Sequence, residues 1–454
     1  VQLLPHQIEA RERLKNQHGL ILNWNVGSGK SVGAIASMDP YGKTEAIVPA
    51  SLRNNFKKEL RAYKPKSKFN VSSYEKAIKQ PQAVEGKNVI FDEAQRLRNS
   101  GTKRSQIANY LAHKANKVLL LSGTPMQNHP SEIAPLVNIA AGKTVLPEDR
   151  KAFDSIYLKH VKDNPGFIRR MFGAKFKDEY QPNNLEDFKK RVSPYVLSYQ
   201  MPKDKYSPTV RVHENQVEMD KNQVDVYHTL EHKLPGKIRQ AIERKLPADK
   251  NNIGRLNAFL SATRQISNTP DKFYKEDGAQ YSPKIKKLLE NVKASPGKSL
   301  IYSNYLDSGT TPISELLSKN KIPHAVFSGK LNDVERKKIV NQYNRDKLKA
   351  LIVSSSGGEG IDLKKTRSIH ILEPHWNTPK TDQVIGRGIR FNSHKDLSEK
   401  DRTVDIHKYY STLPEKRHGF LWMKKSRPTS ADDYLKALSD KKKNLTDQFM
   451  GALK

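Results

Sequence analysis

Two short stretches far apart in the chain carry residue types that together could hold and cleave a nucleoside triphosphate. They are Asn25-Val26-Gly27-Ser28-Gly29-Lys30-Ser31 and Val89-Ile90-Phe91-Asp92-Glu93-Ala94-Gln95. The first follows an apolar run, Leu20-Ile21-Leu22, and precedes a helix-like one from Val32 to Met38. That is the strand, glycine turn and helix order of a phosphate loop, in which Gly27, Ser28 and Gly29 bring backbone N–H groups to an anion. Lys30 would neutralise the outer phosphates, and the Ser31 hydroxyl would ligate Mg²⁺. The second stretch is an apolar strand ending in two carboxylates. Asp92 could hold the same Mg²⁺ while Glu93 polarises the attacking water. The stricter form of the loop has a glycine where Trp24 stands, so this chain keeps only the shorter Gly-x-Gly-Lys-Ser form. A glycine turn with no ligand is the competing reading, and the Asp92-Glu93 pair disfavours it.

These residues need a scaffold, and the chain spells one out. Leu3-Leu4-Pro5-His6-Gln7 opens a helix just before the loop strand, where the Gln7 amide could either read an adenine edge or cap the helix. Apolar strands are expected at Glu45 to Val48, Phe69 to Ser72, Asn88 to Asp92 and Lys117 to Leu121, with helices such as Leu52 to Tyr63 and Ser105 to His113 between them. Alternation of this kind means a parallel sheet covered on both faces. From Ala140 to about Thr269 strands become scarce and Lys-rich helical stretches, punctuated by prolines, take over. The stretches Met219 to Leu230 and Leu256 to Ile266 carry apolar residues at helical spacing and must pack on something. After Ser282-Pro283 the alternation resumes, with strands expected at Ser299 to Tyr302, His324 to Phe327, Ala350 to Ser354, Ser368 to Leu372 and Val404 to Tyr409. This second α/β region has no Gly-x-Gly-Lys of its own.

Composition bounds the partners. The formal net charge is +33, from 81 Lys plus Arg against 48 Asp plus Glu, and the pI is near 9.9. Such an excess suits a polyanion, and nucleic acid is the expected partner. With no Cys there is no disulfide, thiolate metal site or Cys nucleophile, and the 14 His show no metal-ligand spacing. No apolar run is long enough to cross a bilayer, and the start at Val1-Gln2 has the features of neither a signal nor a transit peptide. A soluble, intracellular protein with no membrane partner is expected.

Further stretches complete a pattern. Leu121-Ser122-Gly123-Thr124-Pro125-Met126-Gln127-Asn128 follows the carboxylates, and Ser355-Ser356-Gly357-Gly358-Glu359-Gly360-Ile361-Asp362-Leu363 and Gln383-Val384-Ile385-Gly386-Arg387-Gly388-Ile389-Arg390 come much later. Ser72-Ser73-Tyr74-Glu75, Arg98-Asn99, Gln265 to Pro270, and Phe327-Ser328-Gly329 with Arg336 fall in order between them. With these motifs the whole chain resembles the superfamily 2 helicase-like ATPases, and within them the Snf2 group of double-stranded DNA translocases.

The resemblance implies an α/β fold of two tandem RecA-like parallel-sheet lobes with an inserted, mainly helical region. Lobe 1 is expected over residues 1–140, the helical insertions and linker over 141–280, lobe 2 over 281–425 and a basic C-terminal helical tail over 426–454. It also implies ATP and Mg²⁺ as cofactors, with Lys30, Glu93, Arg387 and Arg390 catalytic. Arg387 and Arg390, placed i and i+3 on one helix, would serve as arginine fingers on the γ-phosphate, with Gln383 one turn earlier. Gly358, Gly360 and Asp362 fit the turn that the family uses to connect the nucleotide cleft with the DNA-facing side, with Gly360 and Asp362 counted among the nucleotide-binding residues. Gln95, Ser122, Gly123, Thr124, Ser303 and Ser328 fit positions that couple to DNA or face it.

Three departures stand out: Gln95 replaces the usual histidine after the acidic pair, Asp362 stands where asparagine is frequent, and Asn392-Ser393-His394 follows the arginine helix. These features weaken a chromatin-remodeller reading. The arginine-helix stretch with its trailing Ser393-His394, followed by Val404-Asp405-Ile406-His407-Lys408-Tyr409-Tyr410 and Ser430-Ala431-Asp432-Asp433-Tyr434-Leu435, is more similar to virus-encoded relatives, of the poxvirus-type nucleoside triphosphate phosphohydrolase and early transcription factor ATPase subunit, with phage Snf2-like proteins an alternative. The expected function is a DNA-stimulated ATPase moving on duplex DNA, within a viral or phage transcription or replication complex. If viral, the protein would work in host cytoplasm or nucleus, or in the virion. Two alternatives stay open: a strand-separating helicase, and a nucleotide-binding interaction subunit of a transcription complex.

Overall fold

The computed structural model describes residues 2–25, 27–85, 87–164, 177–202, 206–269, 281–355, 361–374, 378–390, 392–418 and 424–453. The chain divides into two compact units. One holds Val1–Lys162, Glu179–Pro202 and Lys442–Lys454, and the other Asp163–Asp178 and Lys203–Lys441.

In the first unit, β1 (Gly19–Trp24), β2 (Thr44–Val48), β3 (Phe69–Ser73), β4 (Asn88–Asp92) and β5 (Val118–Ser122) form a parallel sheet in the order β3-β2-β4-β5-β1, and β8 (Val196–Tyr199) joins beyond β1. The short β6 (Leu158–Asp163) and β7 (Lys177–Pro182) pair only with each other. Runs such as Val118-Leu119-Leu120-Leu121 are apolar at every position because the sheet is buried on both faces. One face carries α1 (Pro5–Lys15), α2 (Lys30–Met38) and α3 (Arg53–Tyr63) over Leu20, Leu22, Ala46, Val48 and Ile90. The other carries α4 (Tyr74–Lys79), α5 (Lys103–Lys114), α6 (Ala134–Ala141), α7 (Arg150–Tyr157) and α8 (Leu185–Val192) over Ile21, Ile47, Val89, Phe91 and Leu120.

The second unit repeats the plan. Strands β9 (Thr209–Glu218), β10 (Lys298–Ser303), β11 (His324–Phe327), β12 (Ala350–Ser354), β13 (Thr366–Ile371) and β14 (Thr403–Thr412) form a parallel sheet in the order β11-β12-β10-β13-β14-β9. Helices α9 (Lys221–His232), α10 (Gly236–Arg244), α11 (Ile253–Asn268) and α12 (Pro283–Ala294) lie between β9 and β10 in sequence, α13 (Thr311–Lys319) between β10 and β11, α14 (Asp333–Asn344) between β11 and β12, α15 (Thr378–Gly388) between β13 and β14, and α16 (Ala431–Gly451) after β14.

Both lobes expected from the motifs are therefore present. The scarcity of strands between Ala140 and Thr269 needs correction, because this stretch supplies β8 to one sheet and β9 to the other. Their edge positions explain why they escaped notice: β9 is exposed along most of its length and so lacks an apolar run. The two amphipathic stretches of unassigned destination pack in the second unit. Met219, Tyr227, Leu256, Phe259 and Leu260 form a core there with Tyr434, Leu435 and Leu438 of α16. Within the first unit's own segment 442–454, Phe449 and Leu453 lie in that unit's core with Phe153 and Phe188. Among the described residues no helix is long and apolar enough to cross a membrane.

Candidate nucleotide site

Strands β4, β5 and β1 are neighbours, and their registers align Asp92 with Leu121 and Ser122 with Asn23. The phosphate loop, the Asp92-Glu93 pair and Ser122-Gly123-Thr124 therefore leave the sheet side by side at its C-terminal edge, where α/β sheets bind ligands.

Helix α1 and β8 hold the loop from two sides. His6 Nε2 lies 2.9 Å from the Ser28 carbonyl oxygen, and Gln7 Nε2 donates to the Gly29 carbonyl at 3.1 Å. The His6 ring stacks on Tyr199 with centroids 3.6 Å apart, while the Asn25 side chain accepts from the Met201 backbone N–H at 3.0 Å. Gly29 has φ +74°, and a Cβ there would lie 2.6 Å from Gln7 Nε2, so only glycine fits. Gln7 is buried, and its Oε1 caps α1 by accepting from the Leu4 N–H at 2.9 Å. In this arrangement the capping reading of Gln7 is realised, and its amide is directed at the loop. Trp24 explains the missing first glycine. Its ring lies against Gly33 of α2 and meets His6 edge-on, so the position serves packing.

Lys30 Nζ donates to the Trp24 and Asn25 carbonyls at 2.7 and 3.1 Å, which keeps the ammonium over the loop. Burial, and then the Glu93 charge, push the Asp92 carboxyl up to about 7, with the Glu93 N–H and Lys30 opposing. The sequence reading missed Glu59. It is the lone acid on the otherwise basic α3, half-buried beside Ser31 and Lys30. Burial raises its pKa, and hydrogen bonding with the Ser31 hydroxyl and the Lys30 charge pull the other way. An acid isolated on a basic helix, three residues past the buried Phe56, was the available signal. Ser31 and Asp92 supply only oxygen donors, and the carboxylates around them gain by cation binding, so the residues fit Mg²⁺. No group of three or more His, Cys, Asp or Glu among the described residues is arranged to hold a metal.

Glu93 adopts φ +51°, ψ +48°, a left-handed conformation costly for a non-glycine residue. The peptide group before it is fixed on both sides: the Glu93 N–H donates to Asp92 Oδ1 at 2.9 Å, and Tyr74 Oη donates to the Asp92 carbonyl at 2.7 Å. Gln95 Nε2 donates to Glu93 Oε2, and Ser122 Oγ donates to Gln95 Oε1 at 2.7 Å. Ser122 Oγ in turn accepts from the Thr124 N–H at 3.1 Å, and Gln127 Nε2 donates to Thr124 Oγ1 at 3.3 Å. Arg98 reaches Gln127 Oε1 and pairs with Glu132 at 3.4 Å. The carboxylate that would polarise water is thus the first member of a hydrogen-bonded relay through Gln95 to Ser122 and Thr124. Gly123 is exposed beside Lys30.

In the second unit, Arg387 and Gln383 lie on α15, but Arg390 lies past its end at Gly388. The expectation of one helical face for both arginines is corrected accordingly: with Gly386 and Gly388 in the last turn, the helix stops short of it. Arg387 is 6% exposed, and its Nε has no hydrogen-bond partner among the described residues. Arg390 pairs with Asp362 at 3.8 Å, while Asn344 Nδ2 donates to the Asp362 carbonyl at 3.0 Å. Ser303 is fully buried and donates to Glu373 Oε1 at 2.6 Å, so its side chain works inside the lobe. Ser328 is half-buried, its carbonyl 3.5 Å from Arg336 Nη2. Gly358 and Gly360 lie outside the described residues, as does Val26.

Comparison with known proteins matches residues 72–272 to the SNF2-related domain and residues 283–392 to the helicase conserved C-terminal domain. A protein of Acanthamoeba polyphaga mimivirus, provisionally named an ATP-dependent RNA helicase, is 33% identical over 98% of this chain and 95% of its own length. The termination factor NPH-I homolog of African swine fever virus, from a Malawi tick isolate, is 23% identical over 88% of this chain and 70% of that protein. Among solved structures, the Sulfolobus solfataricus SWI2/SNF2 ATPase core in complex with double-stranded DNA is similar over 91% of this chain and 88% of that one, at 18% identity and a TM-score of 0.39. The Hef helicase domain of Pyrococcus furiosus is similar over 89% of this chain and 94% of its own, at 14% identity and a TM-score of 0.48.

Proposed function

Because the chain belongs to the SNF2-related, helicase-like ATPases and is an ATP hydrolase, we propose that it is a motor that moves along duplex DNA using Mg-ATP. The observation that carries this reading is the relay from Glu93 through Gln95 to Ser122 and Thr124, which ties the hydrolytic carboxylate to the next strand's loop. A simple nucleotide-binding subunit has no use for such a connection.

In this reading the backbone around Gly27 to Gly29 takes the phosphates and Lys30 swings from its carbonyl partners onto them. Glu93, already held in its left-handed turn, orients the attacking water. Mg²⁺, held by Ser31 and Asp92, would neutralise charge on the outer phosphates. Arg387 and Arg390 stabilise charge developing on the γ-phosphate. The buried, unpartnered Nε of Arg387 supports its use on an anion. Lys and Arg in large excess supply backbone contacts to DNA that carry affinity without sequence information.

The relatives' names add two readings of the setting: a termination factor, from the swine fever virus protein, and an RNA helicase, from the mimivirus protein. ATP hydrolysis measured alone and with duplex DNA, single-stranded DNA and RNA separates them. Stimulation by duplex DNA together with displacement of a third strand from a triplex, without opening of the duplex, is the expected result. Stimulation by RNA alone with unwinding of a tailed duplex would replace the translocase by a helicase.

A further inference from the structure

Among the described residues, strand β3 ends the first unit's sheet and pairs only with β2. In a parallel pair, every second residue of an edge strand turns its N–H and C=O away from the partner. Natural edges are commonly blunted by Lys, Pro or a bulge. Phe69-Asn70-Val71-Ser72-Ser73 has none of these, and its register with β2 runs unbroken from Thr44–Phe69 to Val48–Ser73.

A cavity of about 630 Å³ adjoins this edge, and its walls come from both faces of the sheet. Lys57, Leu60 and Arg61 of α3 stand on the face where Phe69 and Val71 pack, and Lys76 and Ala77 of α4 stand on the other. Lys57, Arg61 and Lys76 are exposed and have no ion-pair partner among the described residues. The floor is already neutralised, since Glu45, 3% exposed, accepts from Ser72 Oγ at 2.5 Å and pairs with Lys87 at 3.3 Å.

We propose that this edge receives an extended acidic segment of a partner protein, which adds to β3 as a further strand. Side chains of an added strand alternate between the two faces, so acidic groups on one side meet Lys57 and Arg61 and those on the other meet Lys76. A phosphodiester backbone fits less well. It has acceptors but no donors, so it would leave the outward carbonyls of β3 facing phosphate oxygens, whereas a peptide backbone answers donors and acceptors alike. The segment would tether the motor to its partner through a face that the nucleotide chemistry does not use.

The probe is a short acetylated, amidated, fluorescently labelled peptide repeating Thr-Thr-Glu-Glu, which puts Glu on both faces of an extended strand, titrated against the full chain by anisotropy, with hydrogen exchange read over β3. Binding with protection confined to residues 69–73 is expected, and the Thr-Lys counterpart should not bind. The triple variant Lys57→Glu, Arg61→Glu, Lys76→Glu should lose about tenfold or more in peptide affinity, with DNA-independent ATP hydrolysis unchanged as the sign of intact folding. Should the triple variant not fold, the same peptide with alternate backbone nitrogens methylated decides the matter on the natural protein, because strand addition needs those N–H groups. Three results overturn the proposal: no binding at millimolar peptide, equal binding by the methylated peptide, or displacement of the peptide by duplex DNA with a matching loss of DNA affinity in the triple variant.

Discussion

Lys284 and Asp432 are each 1% exposed and form an ion pair at 3.1 Å, joining the first turn of α12 to the first turn of α16 across a long span of sequence. Asp432 also accepts from the Ser411 N–H at 2.8 Å, and Lys284 approaches Asn268, whose amide donates to Glu373 at 2.5 Å. Glu373 is buried at the end of β13, just before α15, and accepts from Ser303 and the Asn304 N–H at 2.6 and 2.9 Å. The C-terminal helix is therefore built into the polar centre of the second lobe, at the strand ends that lead to Arg387.

Removing one partner should leave the other buried and uncompensated. Asp432→Ala is expected to destabilise the second lobe by about 3–5 kcal/mol, while the double change Lys284→Met, Asp432→Leu costs much less. Urea unfolding followed by a probe in that lobe checks this, and equal losses in the two variants would mean that the pair is not the source.

Gln95 positions Glu93, so Gln95→Ala should lower turnover roughly tenfold to a hundredfold, within the range for a misplaced general base, with nucleotide affinity unchanged. Ser122→Ala should reproduce a smaller part of the loss. Steady-state rates beside direct nucleotide titration test the relay, and a change in affinity alone would refute it.

Glu59 places negative charge beside Ser31, Lys30 and Asp92. Glu59→Gln is expected to tighten metal-free ATP binding by about tenfold, because phosphate charge no longer meets an extra carboxylate. The gain in affinity on adding Mg²⁺ should shrink. Titrations with and without Mg²⁺ read both, and an unchanged metal-free affinity would show that Glu59 does not feel the phosphates.

Arg390→Ala should cut DNA-independent turnover by about 10³-fold with only a modest change in nucleotide affinity, the low end for an arginine finger. If basal hydrolysis is untouched and only DNA stimulation falls, the arginine grips nucleic acid or its own lobe instead.

Three histidines stand at one register position on neighbouring strands: His370, His407 and His213 stack with centroids 5.0 and 4.8 Å apart. Burial and then His213 lower His407 to about 4, with Asp405 opposing and Lys287 adding to the effect; burial and then His407 lower His370. Tyr409, bonded to His370, and Asn291 complete the surroundings. Below about pH 6.5 the unfolded chain binds protons that folded His407 and His370 refuse, so stability is full above that pH and falls toward pH 4. Thermal unfolding across this window should show the decline, and His407→Gln should flatten it.

Chemistry that is local in sequence was legible from the residues. A phosphate loop needs glycines, Lys30 and Ser31 within one turn, and Asp92-Glu93 needs only a strand before it, so short spacing is enough to mark both as candidates. Parallel sheets bury both faces, and their apolar runs marked the inner strands of each lobe. What tertiary structure alone decided depends on partners distant in sequence. Strand β8 joins β1 although it comes from the proline-punctuated stretch, and Tyr199 at its end stacks on His6; neither has an apolar run or a motif to reveal it. Glu59 matters because α3 lies over the loop, and one acid on a basic helix reads as surface until that packing is known. Likewise Asp432 looked like a charge in a basic tail. Its role follows from a buried lysine far away in sequence, since low dielectric, which no residue spacing encodes, forces the two charges together.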